Sequence, residues 1–236
     1  MTMQSSAGFA RIVGSVGNPS KMPGTAYGIS AYHCITGGKL AQVKGSVCED
    51  CYAVKGNYTG PPVKRAHADR ERSLRNLPLW TETMAKYLAF LHGPKGPAKG
   101  KSGNPINKGW HRWHDAGDLQ SVEHLAAICE VARRTPEIRH WLPTRELAFV
   151  RQYVRDGGIV PANLAIRVSA TMVDGPATKA WGTTSGVHTR EDSQPAGTHY
   201  CPAPTHGGTC NHPSDASKHC RACWSNDVAH VSYHKH

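Results

Sequence analysis

Seven of the eight cysteines fall into two groups, Cys34, Cys48 and Cys51 toward one end of the chain and Cys201, Cys210, Cys220 and Cys223 toward the other. Each group contains a Cys-x2-Cys pair, Cys48/Cys51 and Cys220/Cys223, a spacing that lets two thiolates reach one metal centre. A disulfide framework is the bland alternative, and it belongs to small secreted domains that cannot build a core. This chain has 236 residues and opens Met-Thr-Met-Gln-Ser-Ser-Ala-Gly, with no basic stretch followed by an apolar run. That predicts a reducing cytosol, where such pairs ligate metal or act in redox chemistry. Both groups are therefore expected to be metal ligands. Cys129 differs: it sits on the apolar stripe Val122, Leu125, Ala126, Ile128, Ala132 and reads as a buried small hydrophobe.

The elements that must position these thiols are partly readable. The first 60 residues, rich in Gly, Ser, Tyr and Pro, show no sustained period and are expected to form loops with short strands. A helix is predicted over Val63 to Leu77. A second follows, with Pro78 in its first turn and Trp80, Met84, Leu88 and Leu91 on one face. Gly93 to Pro105 reads as a surface loop. From Trp110 to Ala170 the pattern alternates: strand Trp110–His114, helix Ser121–Arg134, strand Ile138–Leu142, helix Thr144–Asp156, strand Leu164–Ala170. Ser121 and Thr144 are candidate N-caps. Such alternation means a parallel α/β sheet. Gly175 to Gly197 looks irregular, and Asp227–Tyr233 could supply a last strand. One domain over 1–236 is expected, with a loop region at 1–60 carrying the first cysteines, a parallel α/β core at 61–175 and a Cys-rich segment with a final strand at 176–236.

In parallel folds ligands gather at the carboxyl ends of the strands. Those ends are polar here: His114-Asp115-Ala116-Gly117-Asp118, then Thr144-Arg145-Glu146, then Arg167-Val168-Ser169. His114, Asp115, Asp118, Arg145, Arg167 and Ser169 are the candidate pocket residues, as hydrogen-bond or proton-transfer groups. Each has a structural alternative: Thr144, Asp118 and Ser121 as caps, Arg145 and Glu146 as a surface pair. The formal charge of +11 suits an anionic small molecule or nucleic acid, or else merely a solvated basic face. Lys64, Arg65, Arg70, Arg72 and Arg75 lie on one predicted helix and Lys95, Lys99 and Lys101 in the loop after the second. No apolar run approaches the roughly 18 residues of a membrane span.

Taken together, Cys34, Cys48-x2-Cys51-Tyr52-Ala53-x-Lys55-Gly56, His114-x2-Gly117-Asp118, Thr144-Arg145, Arg167-x-Ser169, Cys201-Pro202 and Cys220-x2-Cys223-Trp224 resemble the phage gene product 88 family. The Cys-Tyr-Ala element is also similar to the cluster-binding loop of radical S-adenosylmethionine enzymes, where three cysteines hold a 4Fe-4S cluster at the mouth of a partial parallel barrel. The resemblance implies a phage-encoded iron–sulfur protein on a radical-SAM-like partial (β/α) barrel, acting in the host cytoplasm. Thiolate chemistry then allows a 4Fe-4S cluster on Cys34, Cys48 and Cys51, while the C-terminal four could hold a second cluster or zinc of their own or lend one cysteine, such as Cys220 or Cys223, to the first cluster. Tyr52, Gly117 and Asp118 become candidate cofactor contacts, Gly117-Asp118 standing where radical SAM enzymes place a turn that grips the cofactor's amino end. The radical SAM spacing is Cys-x3-Cys-x2-Cys, whereas thirteen residues separate Cys34 from Cys48, so cluster binding follows from the match and S-adenosylmethionine binding does not. Three functions remain open: a cluster-dependent enzyme, a non-catalytic electron-transfer or sensing protein, and a zinc-ribbon nucleic-acid binder.

Overall fold

The structure, a computed structural model, describes residues 5–100, 103–211 and 215–235. Lys101 lies outside them. Seven strands form one sheet, β1 (Thr25–Tyr27), β2 (Trp110–Trp113), β3 (Arg139–Thr144), β4 (Leu164–Ser169), β5 (Thr184–His188), β6 (His199–Tyr200) and β7 (His230–His234). Their order is β1-β2-β3-β4-β5-β7-β6 and every pairing is parallel. The sheet is open, with β1 and β6 at its edges. Six helices accompany it: α1 (Ser6–Val13), α2 (Ile35–Leu40), α3 (Pro61–Ser73), α4 (Leu77–His92), α5 (Val122–Arg134) and α6 (Leu147–Arg155).

The helix starts follow local chemistry. Asn76 caps α4 by accepting from Leu79 N at 3.2 Å, and Ser121 caps α5 by accepting from His124 N at 3.1 Å. Arg133 and Arg134 occupy the last turn of α5, where cations oppose the carbonyl end of the helix dipole. Thr144 is not a cap as its sequence suggested: it ends β3, and α6 begins at Leu147. Its hydroxyl is spent on Asp118, as described below. The predicted helix over Val63 to Leu77 forms earlier, at Pro61–Ser73, because two prolines with no N–H to satisfy suit a first turn.

Two further expectations are corrected: the opening 60 residues hold the helices α1 and α2, and Gly175–Gly197 contains β5. The short strand β1 and the last strand β7 follow the sequence reading, whereas β5 and β6 escaped it. These two are short, and a run of two to five residues carries no period to read.

Tyr27, Trp113, Leu142, Leu164 and Ile166 of the sheet share one core with Trp80, Met84 and Leu88 of α4, Leu125 and Ile128 of α5, and Val150 and Tyr153 of α6. These helices therefore cover a single face, because alternate strand residues point to opposite faces. Cys129 is fully buried in that core, as its helical position predicted. The opposite face presents Trp110, Arg112, Trp141 and Arg167. A C-terminal turn, Ala222–Trp224, lies over it, with Trp224 Nε1 donating to His111 O at 2.9 Å and its ring 5.1 Å from that of Trp141. Among the described residues no helix is long and apolar enough to cross a membrane.

Candidate functional site

The first cysteine group is strapped to the carboxyl ends of β3 and β4. Val47 N donates to Thr171 O and Val173 N to Gly45 O, both at 3.0 Å, which fixes the loop bearing Cys48 against the continuation of β4. Cys34 stands at the start of α2, and the next turn is held by Glu146: Thr36 N and Thr36 Oγ1 each donate to its carboxylate at 2.8 Å. Glu146 is buried, so the surface pair with Arg145 expected from sequence does not form.

The thiols converge around Gly37. A methyl group there would lie 3.0 Å from Cys34 Cβ, 3.5 Å from Cys48 Sγ and 3.6 Å from Cys34 Sγ, so the bare glycine lets both side chains approach one point of the backbone. Burial pushes the Cys34 thiol up to about 12, with the nearby charges of Asp118, Cys51 and Cys48 adding to it and Arg145 opposing it. Burial also raises Cys48, against the pull of Arg145. Three thiols thus share one neighbourhood with a cation beside it. Among the described residues no three His, Cys, Asp or Glu side chains close on a single-ion position.

The predicted pocket residues divide by role. Asp118 is fully engaged: it accepts from Leu119 N at 2.8 Å, Thr144 Oγ1 at 2.6 Å and Arg145 N at 2.8 Å, stapling the ends of β2 and β3. Burial raises its carboxyl to about 6, with the bonds from Thr144, Arg145 and Leu119 holding it from rising further. Arg167 donates to four carbonyl oxygens and serves the C-terminal turn. Ser169 pairs with Ser185 at 3.1 Å. His114 is buried in a left-handed conformation, φ 52°, and its Nδ1 has no hydrogen-bond partner. Asp115 Oδ1 and Arg145 Nε are likewise buried and unpartnered. Tyr52, directly after Cys51, donates to Asp115 O at 2.6 Å, and Gly117 packs its backbone on Ile29.

Arg112 was missed by sequence reasoning. Its Nη2 donates to Tyr52 OH at 3.5 Å, its guanidinium lies 4.6 Å over Trp141, and its Nε is buried without a partner. The signal was the alternation in Trp110-His111-Arg112-Trp113, which puts a cation on the face opposite the helices.

Residues 14–226 match the family model described as gene product 88, a span that includes every one of the seven clustered cysteines. The chain belongs to the gene product 88 family. No curated protein and no solved structure matches it.

In this family member burial raises the Cys210 thiol to about 11, with the charges of Cys201 and Cys220 adding to it. Cys223 Sγ lies 3.2 Å from Tyr233 OH, and burial pushes its thiol up to about 12. His199 Nε2 lies 3.3 Å from Cys220 Sγ.

Proposed function

We propose that this gene product 88 protein is an iron–sulfur protein whose Cys34, Cys48 and Cys51 hold a 4Fe-4S cluster above the strand ends of a radical-SAM-like partial (β/α) barrel, where it acts as a cluster-dependent enzyme. The observation that carries this reading is that the loops bearing Cys34 and Cys48 are tied to the ends of β3 and β4 with both sulfurs beside Gly37, Cys51 following three residues after Cys48. The donor set fits a cluster better than a lone ion. A cluster binds each sulfur through a different iron and so tolerates thiols that do not meet at one point. The packing of α4, α5 and α6 on one face of an all-parallel sheet supports the barrel reading.

When bound, the cluster would supply an iron that three cysteines leave open to a small molecule. The chain's own part is recognition. Arg112 Nε and Arg145 Nε offer unmet donors and Asp115 Oδ1 an unmet acceptor, a set that suits a molecule bearing both an anionic and a cationic group, such as S-adenosylmethionine. Asp118 orients Arg145 through its backbone N–H, and Glu146 holds the turn after Cys34.

Anaerobic reconstitution with ferrous iron and sulfide tests the ligand set. Cys48→Ser and Cys51→Ser should lose the N-terminal cluster, whereas Cys129→Ala should keep full iron and cost about 1–2 kcal/mol of stability. Unchanged iron in Cys51→Ser would remove the reading. Gly37→Ala, which crowds Cys34 and Cys48, should lower iron content, while Gly38→Ala, whose methyl meets nothing within 4 Å, should not. S-adenosylmethionine should perturb the reduced cluster's electron paramagnetic resonance signal. A silent spectrum without formation of 5′-deoxyadenosine would favour a closed, non-catalytic cluster.

A further inference from the structure

We propose that Cys201, Cys210, Cys220 and Cys223 hold a second, closed iron–sulfur cluster, independent of the first, that pins the C-terminal segment over the face of the sheet the helices leave bare.

The main chain places all four thiols. Cys201 follows β6 and its N–H donates to Ser232 O of β7 at 2.9 Å. Cys210 N donates to Lys21 O at 3.0 Å and Cys220 N to Cys210 O at 3.3 Å, so the two ends of the loop between them meet. Arg167 fixes the last ligand: its Nε donates to Cys223 O at 3.0 Å and its Nη2 to Ala222 O and Ser225 O at 2.7 and 2.6 Å. Four thiols from three stretches of chain are thereby gathered beside β7 and the middle of β4.

Charge is the independent observation. Arg167 is 0% exposed, yet its partners are all carbonyls and no carboxylate pairs with it. Arg221 repeats the pattern: it donates to Cys210 O, Cys220 O and Asn211 Oδ1 and lies 5.3 Å over the Trp110 ring, again with no acidic partner. A buried guanidinium without an anion is costly, as at Arg167, and the half-buried Arg221 stands beside the same group of thiols. A centre ligated by four thiolates is anionic and would complete both. Tyr233 OH and His199 Nε2, each within hydrogen-bond reach of a sulfur, are placed to donate to thiolate ligands, as groups around metal-bound sulfur do.

A single zinc ion, which would draw the four sulfurs to one point, is the competing occupant that the experiment below separates. A cluster spreads its four thiolates over four irons. With every iron capped by cysteine the centre has no open position, so its role is to hold Ala222–Trp224 on Trp110, Trp141 and Arg167, metal binding and local folding being one process.

The test uses the full chain, reconstituted anaerobically with ferrous iron and sulfide, in two variants. In one, Cys34, Cys48 and Cys51 are all changed to Ser; in the other, Cys201, Cys210 and Cys220 are. Each should carry about half the wild-type iron and sulfide. In the first variant, chelation should increase hydrogen exchange of the Ala222–Ser225 amides at least tenfold. The first variant decides the matter even if the second fails to fold. No iron in it, one zinc per chain that iron does not replace, or disulfides among the C-terminal cysteines would each overturn the proposal. Iron in the first variant but none in a folded second would instead overturn the N-terminal cluster, so the two readings fail separately.

Discussion

Lowering the pH from about 7 to about 5 should strip most of the stability from this protein. Eight histidines are buried among the described residues, and four of them, His92, His111, His124 and His140, carry this effect. Burial holds His140 down to about 3 and His124 to about 4. Burial, then the charge of Lys108, holds His92 to about 4. His111, fully buried, is depressed further, by burial and then by His140, His92 and His114. As neutral rings they are partnered at one nitrogen or both: Thr25 Oγ1 joins His92 Nε2 at 2.9 Å to His111 Nδ1 at 2.8 Å, and Thr135 Oγ1 meets His140 Nε2 at 2.9 Å, while His111 Nε2, His124 Nε2 and His140 Nδ1 are buried with no partner among the described residues. In the unfolded chain each imidazole takes a proton near pH 6.5, whereas the folded protein excludes it until far lower pH. Below about 6.5 the unfolded state therefore binds more protons, and stability falls as pH falls. At pH 5 each ring contributes up to about 2 kcal/mol of loss, or about 8 kcal/mol for four. Asp118 works the other way: its carboxyl, raised to about 6, takes up a proton in the folded state first and returns about 1–2 kcal/mol. The remainder rivals the whole stability of an ordinary domain, about 5–15 kcal/mol. Urea melts followed by circular dichroism at several pH values check this. A midpoint unchanged between pH 7 and 5 would mean that the rings are not buried as neutral groups.

Gly117→Ala should lower the melting temperature by roughly 6–12 °C whether or not a cluster is bound. Gly117 has φ +77°, and a Cβ there would stand 2.5 Å from Ile29 Cγ1 and 2.8 Å from Ile29 O. The left-handed conformation alone costs an L-residue about 1–2 kcal/mol. The clash adds more, since Ile29 cannot retreat: its N–H is bonded to Ala116 O at 3.0 Å, and His114 N to Tyr27 O at 2.7 Å, extending the β1–β2 pairing to this turn. A total of about 3 kcal/mol follows, and relief by backbone movement would drag Ser30–Cys34 with it. Gly157→Ala is the control, because φ is +87° there but nothing lies within 4 Å of the added carbon. It should cost only the conformational part. A Gly117→Ala protein as stable as the wild type, with weakened binding of S-adenosylmethionine alone, would return Gly117 to the cofactor-gripping role that its sequence context suggests.

What the sequence determined by itself was the alternation from Trp110 to Ala170, the burial of Cys129, and the division of seven cysteines into two groups. These are local signals: a 3.6-residue stripe, an N-cap serine and a Cys-x2-Cys spacing are complete within a few neighbouring residues. Tertiary structure alone decided the rest. The strands β5 and β6 exist because partners distant in sequence pair with them, as Thr184 does with His230 and His199 with Val231, and the same pairing set the places of β1 and β7 in the sheet. The sequence offers Asp118 as a pocket or cap residue and Glu146 as half of a surface pair, and their roles as buried staples depend on Thr144 and Thr36 arriving from elsewhere in the chain. Arg167 reads in sequence as a pocket residue. It became the anchor of the C-terminal turn because β4 lies under Ala222–Trp224, which no feature of Leu164-Ala-Ile-Arg-Val-Ser169 discloses. Spacing could bring two thiols of a Cys-x2-Cys pair together. Whether the third and fourth join them, and whether the two groups meet, was set by the sheet that carries Cys34 past the end of β3 and Cys201 to the side of β7.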